Sequence, residues 1–191
     1  MIETIILASQ SPRRCELLQQ LNIKFSQIVS TADEDIITQS NHPNPKDFVL
    51  QKAIVKATPI AHKYPNHLVI GCDTIVVMGN ELFEKTEDSE KAIYYMKAFR
   101  NKSHYVYSAI AIYYQNEIHT AIGEAEIHFG DYTDEDIDEY IKTDYWKDKA
   151  GAYGYQGLSA KFIEGINGDY YSVVGLPVYQ LTKILKTLKV I

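Results

Sequence analysis

Four side chains able to hold an anion crowd the stretch LASQSPRR (7–14): the hydroxyls of Ser9 and Ser11 and the guanidinium groups of Arg13 and Arg14. Pro12 suits the first turn of a helix, where its missing N–H costs nothing. The stretch therefore reads as a strand end, a tight turn and a helix start. A helix N-terminus presents free backbone N–H groups and the positive end of the helix dipole, and it takes phosphate readily. The serines add hydroxyl donors, and an arginine adds a bidentate fork. The plainer alternative has a serine capping the helix and both arginines solvated. Two arginines in a first turn oppose the helix dipole, which weighs against that alternative. The stretch is neither a Walker loop nor a GxGxxG dinucleotide fingerprint.

A second chemical signal is Asp73 in VIGCDTIVV. A carboxylate inside an apolar run is costly unless it is paired or binds a cation. It follows Gly71, and glycine in a strand often marks the close approach of a ligand. Asp73 could hold Mg²⁺ or orient a water; the alternative is a strand-end residue capping a turn. Lys52 and Lys56 stand four apart, on one helix face, and Lys85 follows the Asp73 strand; taken singly, each reads as solvated. Asp33 and Glu34 in TADEDI read as an acidic loop, with a metal or ribose contact as the alternative. In DKAGAYGYQG (148–157), Gly151, Gly154 and Gly157 allow close backbone approach, and Gln156 offers an acceptor and a donor for a base edge or a phosphate. Together these groups point to metal-assisted chemistry on a phosphorylated small molecule. A seryl or cysteinyl nucleophile is disfavoured, since no His stands close in sequence to Ser9, Ser11, Cys15 or Cys72. His104 and His119 fall on expected strands and read as satisfied polar residues.

The elements that must position these groups alternate between strand and helix. Strands are expected over 3–8, 24–30 and 67–78, the last broken at Gly71, Cys72 and Asp73. A helix running to about Leu21 carries Leu17, Leu18 and Leu21 as its stripe, and Asp47 reads as the N-cap of a helix over 48–63. MGNE reads as a turn, 87–100 as a helix starting near Asp88 or Ser89, and 104–115 with 117–130 as an antiparallel hairpin. Thr133 caps a helix over 133–143, strands follow over 162–168 and 169–177, and a helix after Pro177 closes the chain. The class is α/β with an antiparallel element. The hairpin and the helix after it could form a second lobe, and a cleft between lobes is where ligands tend to sit.

Composition narrows the function classes. The 191 residues are ample for a sizeable core, and 46% hydrophobic with 23% charged residues is ordinary for a globular chain. A net charge of −6 disfavours binding to a nucleic acid polymer, while leaving room for a local basic pocket. Two cysteines without CxxC spacing suggest neither a disulfide framework nor a zinc site. No basic n-region with an apolar h-region precedes the first strand and no apolar run reaches about 20 residues, so the expected location is cytoplasmic, away from membranes. The 15 tyrosines read chiefly as amphipathic filling of strands and interfaces.

The motifs LASQSPRR (7–14), GCDTIVV (71–77), FEK (83–85), DKAGAYGYQG (148–157) and INGDYYSVVGLP (166–177) occur in the order of one family and cover nearly the whole chain. The chain resembles the Maf family of nucleoside triphosphate pyrophosphatases. The resemblance implies a single domain over 1–191, with a mixed, elongated central sheet flanked by helices and two lobes enclosing a cleft, as in ITPase-like architectures. It implies hydrolysis of a nucleoside triphosphate between the α and β phosphates with a divalent cation (Mg²⁺, Mn²⁺ or Co²⁺), and a homodimer. The DKAGAYGxQG form is similar to the dTTP/UTP branch, with a house-cleaning role against modified pyrimidine nucleotides. Carried over by position, Ser9, Ser11, Arg13 and Arg14 bind the triphosphate, Lys56 and Lys85 neutralise phosphate charge, and Glu34 and Gln156 complete the polar site. Asp73 is the general base and a metal contact. The alternative is a non-catalytic nucleotide-binding regulator of cell division and septum formation. The chain departs from the family pattern at Cys72, usually Ala, at Thr86, usually Pro, and at Tyr145-Trp146, usually Glu-Pro.

Overall fold

The computed structural model describes residues 4–191. Two compact units are distinguished along the chain. One comprises Met1–Thr74, Ser108–Gly123 and Gly175–Ile191; the other comprises Ile75–Tyr107 and Glu124–Val174.

In the first unit, β1 (Ile5–Ala8) is buried throughout and pairs in parallel on both sides, with β2 (Phe25–Gln27) and with the start of β3 (Leu68–Met78). A strand flanked on both sides reads as an unbroken apolar run, which is what IILA supplies. Glu3, the first residue of the expected strand, lies outside the described residues. Helix α1 (Pro12–Gln20) buries Leu17 and Leu18 of its expected stripe, but it ends before Leu21, which stands exposed at the C-cap. Helix α2 (Pro45–Lys63) begins three residues earlier than expected. Its N-cap is Asn44, whose side chain accepts from the backbone N–H groups of Lys46 (2.9 Å) and Asp47 (3.4 Å). Asp47 bonds instead to His42 (2.5 Å) and Gln51 (3.3 Å), and these bonds hold its carboxyl below the usual range, His42 first.

The structure also revises the reading of Gly71. β3 is continuous through Gly71, Cys72 and Asp73, and the close approach at Gly71 is made by a helix rather than a ligand. A Cβ there would strike the carbonyl oxygen of Ala53 and come within 2.7 Å of the Ala57 Cβ. A glycine opposite two alanines therefore lets α2 lie tight against β3, which sets the position of the side chains that α2 carries.

In the second unit, β4 (Glu81–Phe83) returns antiparallel onto Val76–Met78 after the Gly79-Asn80 turn. The turn is where the sequence places it, but the strand after it is too short to show a period. Helix α3 (Ser89–Phe99) is capped by Asp88, and α4 (Asp134–Ile141) by Thr133 in a reciprocal capping box with Asp136, both matching expectation. Strands β5 (Ser103–Tyr114) and β6 (Glu117–Phe129) each have residues in both units and flank Gln115 and Asn116 of the first unit, both at positive φ as a tight hairpin turn requires. β7 (Ile163–Gly168) pairs antiparallel with β6 over 125–129. The expected strand over 169–177 is instead a short helix, α5 (Tyr170–Val174). Asp169 accepts from the Tyr171 backbone N–H (3.0 Å) and from the Ser172 hydroxyl (2.5 Å), starting a helical turn against the β-branched bias of Val173 and Val174. α6 (Val178–Thr187) closes the first unit.

The seven strands of the described residues form one mixed sheet in the order β2-β1-β3-β5-β6-β7, with β4 on β3. The core of the second unit is strongly aromatic, built around Phe83, Phe99, Phe129, Trp146 and Phe162. Buried tyrosines help fill it, in keeping with the sequence reading: Tyr132 donates to the Met96 carbonyl (2.5 Å) and Tyr140 to the Ala152 carbonyl (3.0 Å). Among the described residues no helix is long and apolar enough to cross a membrane.

Candidate active site

The site grows from the carboxyl end of β1, where ligands collect in parallel α/β sheets. Ser9 follows β1 directly, and its carbonyl accepts from the Gln27 side chain at the end of β2 (2.8 Å). The Ser9 hydroxyl is buried and accepts both the Ser11 backbone N–H (3.2 Å) and Nη1 of Arg14 (2.9 Å). Ser11 occupies the N-cap of α1 without a side-chain cap bond, so neither serine is a simple helix cap. The first-turn N–H groups of α1 are therefore not covered by the Ser11 hydroxyl.

Arg14 turns inward. It is 8% exposed, and its guanidinium also donates to the Cys72 carbonyl (2.9 Å), the Thr74 hydroxyl (3.1 Å) and, through Nε, the Gly175 carbonyl (2.8 Å). Four acceptors at fixed angles suit a rigid five-donor fork, which an ammonium could not replace. The Thr74 hydroxyl is further bonded to Ser108 (2.7 Å). Arg14 thus ties the turn after β1 to β3 and to the segment before α6. Arg13, its neighbour in the same first turn, is half-buried.

On β3, beside this anchor, stands Asp73, 8% exposed. Lys56 of α2 brings its ammonium 2.5 Å from Asp73 Oδ1 and 2.9 Å from Glu34 Oε2. Glu34 opens a 3-10 turn (Glu34–Ile36) whose cap is Asp33, so the acidic loop is ordered and one of its carboxylates faces inward to a cation. A buried carboxylate needs such a partner. Lys52, one helical turn from Lys56, lies instead over the Phe48 ring (5.0 Å).

The structure therefore brings Ser9, Ser11 and Arg14 into one cluster and Glu34, Lys56 and Asp73 into another, both bordering residues 72–74 of β3. Between them Cys72 is fully buried, and burial pushes its thiol up to about 11. A thiol so raised is a poor nucleophile at neutral pH. In the second unit, Lys85 is exposed after β4, and Gln156 is exposed, donating from Nε2 to the Tyr170 hydroxyl (2.9 Å). His104 is buried there against the Tyr153 hydroxyl (2.6 Å). Thr74, Ser108 and Gly175 are members of the Arg14 anchor that sequence reasoning missed. Thr74 and Gly175 fall inside the quoted motifs, whereas Ser108 carries no local signal.

Among the described residues no group of three or more His, Cys, Asp or Glu side chains is arranged to hold a metal. Two converging carboxylates, Asp73 and Glu34, are nevertheless what a hard divalent ion takes from a protein when substrate phosphates and waters complete its shell. The donor set fits that kind of ion.

The fold and site define an α/β protein with a mixed sheet, a serine–arginine turn at the end of β1 and an Asp73–Lys56–Glu34 cluster beside β3. The chain belongs to the Maf-like protein family, whose model matches residues 4–188. It is 38% identical over 187 residues to a protein of Dictyoglomus turgidum named dTTP/UTP pyrophosphatase, covering 97% of this chain and 96% of the relative. Relatives of the same name in Bacillus cytotoxicus and Bacillus cereus are 40% and 39% identical over 185 residues, each covering 97% of this chain and 95% of the relative.

Proposed function

We propose that this chain is a hydrolase that cleaves dTTP and UTP between the α and β phosphates, releasing the nucleoside monophosphate and pyrophosphate. The observation that carries this reading is the Asp73–Lys56–Glu34 cluster on β3, in a chain aligned over its full length with dTTP/UTP pyrophosphatases.

The chemistry follows from the groups present. The triphosphate oxygens lie at the uncovered first turn of α1, with Ser11 and Arg13 donating to them. Ser9 and Arg14 shape the turn, since most of the Arg14 donors are spent on protein acceptors. Asp73 is the general base: Lys56 holds Oδ1 and orients the carboxylate, while Oδ2 takes the proton from an attacking water. Lys56 and Lys85 offset the charge that grows on phosphate oxygens in the transition state. Gln156 supplies a polar contact to the nucleotide. Asp73 and Glu34 are the residues that would hold a divalent cation such as Mg²⁺, Mn²⁺ or Co²⁺. When bound, that ion neutralises charge on the phosphoryl oxygens.

The test is a nucleotide panel with each cation, the phosphorus products being resolved chromatographically. Monophosphate and pyrophosphate from dTTP and UTP are expected. Release of orthophosphate alone, or equal turnover of all nucleotides, contradicts the proposal.

A further inference from the structure

Tyr145 and Trp146, the pair at which the chain departs most from the family pattern, are both engaged around the Gly-rich loop. Trp146 is buried and donates through Nε1 to the Ile141 carbonyl (2.9 Å), which anchors the end of α4. Tyr145 projects from this anchor. Its hydroxyl donates to the backbone carbonyl of Gln156 (2.5 Å). Its ring lies under the Lys149 ammonium, 3.9 Å from the centroid, and Lys149 also donates to the Tyr145 carbonyl. The phenol tip packs so closely on Gly157 that a Cβ at that position would collide with it, and Gly157 is also at φ +81°. The loop is thus held at its distal end by a side chain rooted outside it.

A second tyrosine holds the Gln156 side chain. Tyr170 accepts one Nε2 hydrogen of Gln156 (2.9 Å), and its ring packs edge-on against Tyr155 (5.3 Å). With the Gln156 backbone fixed by Tyr145 and one amide hydrogen fixed by Tyr170, Oε1 and the second Nε2 hydrogen remain to meet a ligand. An exposed glutamine otherwise loses substantial rotamer entropy when it binds. Fixing it beforehand removes part of that cost, which is how a residue that never touches substrate influences binding.

We infer that Tyr145 is a positioning residue that acts through Gln156. The inference rests on the reading above, in which Gln156 contacts the nucleotide. Its test is a double-mutant cycle with Tyr145→Phe and Gln156→Ala, measured as pyrophosphate release from dTTP. Tyr145→Phe keeps the ring under Lys149 and removes only the hydroxyl bond. It is expected to lower kcat/KM by roughly 3- to 10-fold with unchanged Tm, and to have no further effect once Gln156 is Ala. Wild-type activity of Tyr145→Phe, or multiplicative losses in the double variant, would overturn the inference. Hydrogen exchange over residues 155–158 supplies a readout independent of turnover. Faster exchange in Tyr145→Phe supports the latch, and unchanged exchange overturns it. A wild-type protein that releases no pyrophosphate would count against the proposed function, and exchange would still decide the latch.

Discussion

The Lys56 ammonium lies 2.5 Å from Oδ1 of Asp73, a contact between a helix and a strand that neither residue's local sequence announces. The two side chains are 15% and 11% exposed, so each is largely withdrawn from water. Removing Lys56 takes the cation away from the nearly buried Asp73 carboxylate. Lys56→Met is expected to lower stability by about 1–3 kcal/mol in urea unfolding. Much of that loss should vanish when Asp73 is also changed to Asn, because the stranded charge is then gone. Equal losses in both backgrounds would show that the pair contributes no coupling.

The pair depends on how closely α2 approaches β3, and Gly71 sets that distance. Gly71→Ala places a methyl against the Ala53 carbonyl and the Ala57 side chain. The expected cost is about 1–3 kcal/mol from overpacking, together with lost turnover as the helix carrying Lys56 is pushed outward. Gly130→Ala is the control, since its Cβ would meet nothing nearer than the Glu164 Cβ at 3.8 Å. Comparable losses in the two variants would refute this account of Gly71.

The second unit carries an acid-sensitive group. Burial drives the His104 pKa down to about 3, and the ring is stacked on Phe99 with centroids 4.1 Å apart. The unfolded chain takes up this proton near the ordinary histidine value of about 6.5, while the folded chain does so only near the depressed value. The stability contribution is therefore complete above pH ~6.5 and is lost as pH falls toward the folded value, at up to about 1.4 kcal/mol per pH unit. Equilibrium unfolding of wild type and His104→Phe between pH 7 and 5 should show the steeper decline in the wild type. Parallel curves would mean that His104 is not the group responsible.

Much of this fold was legible because its signals are local. Asp88 and Thr133 announce the helices they cap, and Gln115-Asn116 announces its hairpin. The short β4 and α5 were not legible, the first too brief to show a period and the second started by Asp169 against the propensity of its valines. The site divides along the same line. Ser9, Arg14, Lys56 and Asp73 could be singled out as chemical types, but not the use made of them. The Nε of Arg14 bonds a carbonyl 161 residues away, so an arginine that reads as a phosphate ligand is largely a tie inside the protein. Gly71 reads as making room for a ligand and makes room for a helix. Such contacts between distant positions carry no periodic or motif signal.

In the proposed mechanism Asp73 activates water for pyrophosphate release. The direct measurement is pyrophosphate formed from dTTP by wild type and Asp73→Asn in parallel, with nucleotide binding followed by calorimetry. Turnover is expected to fall roughly 10²- to 10⁴-fold in Asp73→Asn while nucleotide binding persists. Undiminished pyrophosphate release by Asp73→Asn would contradict it.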